Sequence, residues 1–475
     1  MSTRKALVLR ADELAGAAGG QVVSGRADTE VGGVTIDSRR VSRGDLFVAI
    51  RGRRFDGHRF VNDAVSRGAA GLVISDVAAV GVQVTGGSDH KQPVVVVVPD
   101  TIRALQLMGR FVRRASATRV VAVTGSVGKT TTKDLTATLL ADKYDVSRTE
   151  GNLNNHIGLP LSLLDLRRCP DVAVVELGMN HAGEIRTLVG VAEPEIRVWT
   201  NVAEVHSEFF ESVDAIADAK AEILEGSNAK TRLVANAADS RVMARVTNFP
   251  GELTTFGINV PADIRASDLR FLGLAGMEAT LDTSAGSHTL RTALLGEGSV
   301  ANILAAIAVA LEFQLPIEAM LARVATYEAQ PRRGQLIRVG EITIVDDSYN
   351  SNPMALDLVL AAIGQAADGA RCVAVLGEML ELGRRSEALH RQCGRTVVSV
   401  GFDVLLVVGG SSAHTLADAA IEAGLPAASV FRCTTSDEAA DRIGGLVRAG
   451  DVVLVKGSRG IGTDRIVDRL KSERE

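Results

Sequence analysis

Aromatic residues are scarce, at 3% of the 475-residue chain. A base-stacking platform for single-stranded nucleic acid is therefore not expected. Net charge is −5, with both signs spread along the chain, so there is no basic footprint for nucleic acid either. Only four cysteines occur, Cys169, Cys372, Cys393 and Cys433. They lie far apart without paired metal spacing and read as buried free thiols, which suits a reducing cytoplasm. The longest uncharged apolar stretch, Gly298 to Leu311, falls short of the ~18 residues that suggest a membrane span. The opening MSTRKALVLRADELAG has scattered charges and no apolar core with a cleavage site, so it does not read as a secretory signal. A cytoplasmic protein that neither inserts into membrane nor binds nucleic acid is expected.

Apolar residues are plentiful, at 46%. The length suggests about three domains. Short β-branched runs recur at Val94–Val98, Val120–Thr124, Val172–Glu176, Cys372–Leu376, Val404–Val408 and Val452–Lys456. Helical patterns separate them. Strands of this kind lie buried in parallel sheets covered by helices on both faces, so the fold class is α/β. An amphipathic stretch at Thr101–Ser116 and a Pro/Gly/Arg break at Gln330–Gly334 mark boundaries. The expected division is 1–115, 116–331 and 332–475.

The stretch VVAVTGSVGKTTTKD, Val120 to Asp134, resembles a phosphate-binding loop but lacks its usual first glycine, which would fall at Val123. The strand Val120–Val123 and a helix from Thr131 to Leu140 flank it, and that context gives such a motif meaning. Gly125, Ser126, Val127 and Gly128 would cradle an anion with backbone N–H groups, helped by the dipole of the helix. Lys129 would reach the outer phosphates, and the Thr130 hydroxyl suits Mg²⁺. Thr131, the first residue of that helix, belongs to the same ATP-binding set. Glu176 ends an apolar strand, where ligands gather in open α/β sheets, and would hold the metal directly or through water. His206 comes after a strand expected at Arg197–Val202, and Lys220 sits on a helix beginning near Ser212. Alone, each reads as an ordinary structural or solvated residue.

Together these residues resemble the Mur ligase family, whose loop has the form T-G-x-x-G-K-T, matched here by Thr124–Thr130. Further matching stretches are Gly151-Asn-Leu-Asn-Asn-His-Ile-Gly-Leu-Pro160, Glu176-Leu-Gly-Met-Asn-His-Ala-Gly-Glu-Ile185, Asp346-Asp-Ser-Tyr-Asn-Ser-Asn-Pro353, Leu376-Gly-Glu-Met-Leu-Glu-Leu-Gly383 and Lys456-Gly-Ser-Arg459. The resemblance implies a UDP-substrate domain, a central ATPase and a Rossmann-like C-terminal domain. The motifs are most like those of the members that join D-alanyl-D-alanine to UDP-N-acetylmuramoyl-tripeptide in peptidoglycan precursor synthesis. ATP and Mg²⁺ are the implied cofactors, and a monomer is expected.

The resemblance also assigns roles. Ser38 and the turn Arg53-Arg54-Phe55 would lie near the uridine diphosphate, although Asp37-Ser38-Arg39 also reads as a simple turn. Thr130 and Glu176 would share one metal ion. His206 and a carbamylated Lys220 would surround a second, and Lys129, His206 and Lys220 form the catalytic set. Asn152 and Asn155 would face the substrate. Asn302 and Asp347 would contact ATP, the latter at the ribose. Tyr349, Asn350, Lys456, Ser458 and Arg459 would face the reacting ends. Two departures stand out. Gly298 and Ser299 replace the His and first Asn of G-R-H-N-x-x-N, and Gln335 comes after the interdomain glycine where arginine is usual, with Arg332 or Arg333 as substitutes. Closure about a hinge at Arg332–Gly334 is expected, since an acyl phosphate must be kept from water.

Other readings fit less well. A GTPase-type switch should carry N-K-x-D, which is absent. A folate ligase would leave Asp37–Ala49 and Asp346–Pro353 unexplained, and the neighbouring tripeptide-forming Mur ligase should carry D-N-P-R, which is absent. Val452–Gly462 mimics a nicotinamide fingerprint, but only thirteen residues lie beyond Gly462, too few for a βαβ unit.

Overall fold

A computed structural model describes residues 4–52, 55–77, 92–205 and 208–474. Among these, three large sheets succeed one another along the chain. The N-terminal sheet has the order Gln21–Ser24, Val94–Val97, Gly71–Ile74, Leu46–Val48, Val34–Thr35. Its first pair is antiparallel and the rest are parallel. A small antiparallel pair, Leu9–Arg10 with Glu30–Val31, stands beside it.

The central sheet has nine strands. Its parallel part runs Val146–Arg148, Val172–Glu176, Arg119–Thr124, Ile196–Trp199, Arg232–Asn236, Glu252–Ile258, Ile264–Phe271. Two antiparallel strands, Met277–Thr283 and Gly286–Thr292, extend one edge. The C-terminal sheet runs Gln335–Val339, Ile342–Asp347, Val452–Lys456, Cys372–Gly377, Val404–Val408, Val430–Cys433, parallel except for its first pair.

The β-branched runs form strands where the sequence places them, and the phosphate-loop helix spans Lys129–Leu140. The strand expected at Arg197–Val202 is Ile196–Trp199. Beyond Trp199 the chain turns back over the phosphate loop instead of extending the sheet. The strands between Glu252 and Thr292 have no counterpart in the sequence-based expectation. Their residues alternate between buried and exposed, as in Ile264–Phe271, and such half-solvated strands lack a continuous apolar run.

The helix Thr101–Ala115 begins where the Asp100 carboxylate accepts from Ile102 and Arg103 N–H. It buries Ala104, Leu105, Met108 and Val112. These residues share one core with Leu46 and Val73 of the N-terminal sheet and with Leu163 and Ile185 of the central domain. Burying Leu105 and Met108 contributes roughly 1.5–3 kcal/mol each. Arg113, itself buried, ties the helix to the Ala192 and Glu193 carbonyls at 2.8 and 2.9 Å. At Gly109 a Cβ would meet the Pro160 carbonyl oxygen at 3.0 Å, so the close crossing of the next helix, Gly158–Leu164, depends on glycine there. No described helix is long and apolar enough to cross a membrane. All four cysteines are free and buried.

Candidate active site

Val123 and Glu176 are register partners on adjacent parallel strands. The phosphate loop and the Glu176 carboxylate therefore emerge together at the carboxyl edge of the central sheet. The loop needs its glycines. Gly125 has φ +152° and a Cβ there would lie 1.9 Å from Thr200 Oγ1. Gly128 has φ +83° and a Cβ would lie 2.1 Å from Asn302 Oδ1. Ser126 N–H donates to Asn201 O, and the Asn201 side chain accepts from Val127 N–H at 2.8 Å and donates to Val127 O at 3.0 Å. Thr200 Oγ1 donates to Val127 O at 2.8 Å. The stretch Thr200–Ala203 thus braces the loop from behind. Sequence reasoning missed this role, although Thr-Asn directly after an apolar strand was its one visible signal.

The first intrahelical bond beyond the loop is Thr132 N–H to Gly128 O. The N–H groups of Lys129, Thr130 and Thr131 precede that ladder and are available to an anion. Lys129 Nζ donates to Gly125 O at 2.7 Å and Ser126 O at 3.2 Å, curled over the loop it would serve. Burial lowers its pKa, against the attraction of Glu176.

Thr130 Oγ1 donates to Glu176 Oε2 at 2.7 Å, and Asn154 Nδ2 donates to Glu176 Oε1 at 2.8 Å. Lys220 is buried and donates to Gly125 O at 3.0 Å. Burial first, and then the neighbouring Lys129 charge, push its pKa well below the usual 10.5. A lowered pKa favours the neutral amine, the form that carbamate chemistry needs. Thr130 and Glu176 set a hydroxyl and a carboxylate side by side, and such hard oxygen donors fit Mg²⁺.

The opposite wall comes from the C-terminal domain. Asp347 and Lys456 are register partners and form an ion pair at 2.6 Å, with Lys456 also donating to Asn350 O at 2.9 Å. Arg459 N–H donates to Asn350 Oδ1 at 3.4 Å, and Ser458 Oγ accepts from Leu380 N–H at 2.9 Å. Arg333 lies over the Tyr349 ring at 3.7 Å and donates to Thr130 Oγ1 at 3.2 Å, while Arg332 pairs with Asp464 at 2.8 Å. Of the two arginines left open by the sequence, Arg333 is the one that reaches the phosphate loop.

A cavity of about 950 Å³ lies between these walls. It gathers Ser126–Thr131, Asn152, Glu176, Lys220, Asn302, Asp347, Tyr349, Asn350, Lys456, Ser458 and Arg459. Asn302 backs Gly128 and accepts from Thr132 Oγ1 at 3.2 Å. Gly298 and Ser299 also line the cavity, with Ser299 Oγ tied to Leu295 O at 2.7 Å. Asn155 does not line it. Its Oδ1 accepts from Ile157 and Gly158 N–H and so caps the next helix, whereas Asn154, unforeseen, holds Glu176. Ser38 and Phe55 also lie outside this cavity. Ser38 is buried behind a turn in which Asp37 accepts from Arg39 N–H, and Phe55 is 73% exposed. Arg53, Arg54 and His206 fall outside the described residues.

Family profiles match three segments. They are the Mur ligase middle domain over residues 123–310, the Mur ligase glutamate ligase domain over 332–459, and the Mur ligase family catalytic domain over 30–115. The UDP-N-acetylmuramoyl-tripeptide–D-alanyl-D-alanine ligase of Escherichia coli K12 is 36% identical, covering 83% of this chain and 84% of its own. MurF from Acinetobacter baumannii superposes with a TM-score of 0.86 at 28% identity, over 98% of this chain and 99% of its own. The MurF ligase of Thermotoga maritima, solved with ADP, gives 0.81 at 27% identity, over 93% and 97%.

Proposed function

The chain belongs to the Mur ligase family, and we propose that it is an ATP-dependent ligase joining D-alanyl-D-alanine to UDP-N-acetylmuramoyl-tripeptide, with release of ADP and phosphate. The observation that carries this reading is the cavity itself. A complete phosphate loop faces Lys456, Ser458 and Arg459 across one cleft, so a triphosphate and a second reactant can meet there. The domain division at 115 and 331 and the location in the cytoplasm belong to the same reading.

The tripeptide's terminal carboxylate attacks the γ-phosphorus of ATP, giving an acyl phosphate and ADP. The amine of D-alanyl-D-alanine then attacks the acyl carbon and loses a proton, and phosphate leaves. Lys129 and the amides of Thr130 and Thr131 stabilise charge on the transferred phosphoryl oxygens. On binding, Lys129 exchanges its two loop carbonyls for phosphate oxygens. Arg333 adds a cation from the C-terminal side. Asp347 takes the ATP ribose, and Lys456 keeps that carboxylate in place. Asn152, Tyr349, Asn350, Ser458 and Arg459 orient the acid and amine, a positioning contribution that accounts for much of such catalysis. Ser38, with Arg53, Arg54 and Phe55, serves the distant uridine diphosphate.

Thr130 and Glu176 would hold Mg²⁺, with His206 and carbamylated Lys220 at a second position. When bound, the ions offset the repulsion between the two anionic reactants. Asn154 donates to the Glu176 carboxylate and so orients it.

The test is product analysis by mass after incubation with ATP, UDP-N-acetylmuramoyl-tripeptide and D-alanyl-D-alanine. A UDP-pentapeptide is expected. Turnover only with a different acid or amine would leave the chemistry standing and overturn the substrates.

A further inference from the structure

One stretch of the cleft wall, Glu378–Leu382, is a turn held peptide by peptide. Glu378 O accepts from Ser458 N–H at 3.3 Å, and Leu380 N–H donates to Ser458 Oγ at 2.9 Å. Glu381 O accepts from Glu208 N–H of the central domain at 3.2 Å. Met379 N–H donates to His390 Nε2 at 3.0 Å. Glu381 has φ +63°, a left-handed conformation unfavourable for a non-glycine residue. The surrounding bonds therefore impose a shape the segment would not keep alone. Leu380, 43% exposed, Glu381 and Leu382 all line the cleft.

His390 is fully buried on the helix Ser386–Ser399. Its Nδ1 lies 2.7 Å from Ser386 O. A carbonyl only accepts, so Nδ1 carries the proton and Nε2 is the lone-pair side that receives Met379 N–H. A proton on Nε2 would set one N–H against another and break the anchor that this helix gives the turn. The titratable group facing the ring is Glu378, just past the strand Cys372–Gly377, and its carboxylate is engaged by Gly410 N–H at 2.6 Å. From the helix Ser411–Glu422 comes the Ser412 hydroxyl, which accepts from Ser386 Oγ at 2.9 Å.

We propose that His390 is a positioning residue for the ligation. As a neutral Nδ1–H imidazole it holds Met379, and through it Leu380–Leu382, in the wall approached by the amine substrate, and protonation releases that wall. The turn stands opposite the phosphate loop and is bonded to Ser458, which with Arg459 orients the reacting acid and amine in that reading. The substrate named here rests on the ligase reading above. Burial of the ring outweighs the attraction of Glu378 and keeps its pKa below the usual 6.5, so the anchor is intact at neutral pH and fails on acidification.

The experiment compares wild type, His390→Gln and His390→Leu from about pH 5.5 to about 8.5. It measures kcat and KM for ATP and for D-alanyl-D-alanine, thermal midpoint, and amide exchange of 378–382 without substrates. Gln supplies a non-titrating acceptor. It should keep near-wild-type kcat/KM at the alkaline end, lose the acid limb of D-alanyl-D-alanine use, and show no pH-dependent opening of 378–382. Leu should lower kcat/KM for D-alanyl-D-alanine about tenfold, the loss of one buried hydrogen bond, with KM for ATP unchanged. Identical acid limbs and identical exchange in wild type and His390→Gln would overturn the proposal, as would a Leu variant that moves only the thermal midpoint. If wild type fails to ligate D-alanyl-D-alanine at any pH, the substrate reading fails, and the exchange arm still decides the role of His390.

Discussion

Arg333 Nη2 lies 3.2 Å from Thr130 Oγ1. The segment leading into the C-terminal sheet thereby touches the first turn of the phosphate-loop helix. Thr130 in turn donates to Glu176, so one hydroxyl links linker, loop and the carboxylate suited to metal. Arg333→Ala is expected to lower kcat by about 10²-fold, the usual effect of losing one donor to a charge-developing centre, with little change in thermal midpoint. Arg333→Lys should recover only part, because an ammonium neither forks nor stacks on Tyr349 as a guanidinium does. Steady-state kinetics beside thermal melts check both variants.

Lys220 gives a contrary pairing of stability and activity. A buried amine is costly for a fold, so Lys220→Met should leave the thermal midpoint unchanged or raised while abolishing turnover. Its folded pKa lies below the usual 10.5. Between the folded and unfolded values the unfolded chain thus binds more protons, so this residue's contribution to stability rises with pH across that window and is lost as pH falls through the folded value. Carbamylation should appear as a carbonyl signal in ¹³C NMR with labelled bicarbonate, lost in the Met variant. Full activity of Lys220→Met would remove the residue from the mechanism.

Asp347 and Lys456 behave as a unit. Lys456 is 3% exposed, and Asp347→Asn strands its charge. The expected cost is about 3–5 kcal/mol, read by denaturant melts. Adding Lys456→Met should restore most of the stability but none of the activity, because both residues face the cleft.

Arg385 of the C-terminal domain pairs with Glu204 of the central domain at 2.7 Å, beside Gly383, where a Cβ would meet Glu208 Cα at 2.9 Å. The pair is partly exposed and worth at most about 1 kcal/mol. Arg385→Glu should nevertheless lower turnover several-fold at low salt by setting like charges across the domain contact, and Glu204→Arg added to it should restore the rate. Small-angle scattering with and without substrates reads the same closure as a change in shape. The backbone at Arg332 and Gly334, φ +64° and +79°, is where such movement would be absorbed.

Much of this was legible in the sequence because parallel α/β domains announce themselves through short β-branched runs, and the phosphate loop sits at a strand-to-helix turn. The division of labour among Asn152, Asn154 and Asn155 was not legible. Three identical asparagine side chains within four positions differ only in where the backbone points them, and the helix that Asn155 caps decides that. The bracing of the loop by Thr200 and Asn201 depends on two strands being neighbours in space. The Asp347–Lys456 pair spans residues far apart in the chain, joined only by strand register. The choice of Arg333 over Arg332 comes from a backbone turn at Arg332 that its side-chain chemistry does not encode.

Phosphate release by purified protein with ATP and Mg²⁺, with the tripeptide substrate and D-alanyl-D-alanine supplied together and then each omitted, tests the central claim most directly. Release that requires both, and that matches the UDP-pentapeptide formed, is expected. Sustained release with neither would contradict it and leave a plain nucleotide hydrolase.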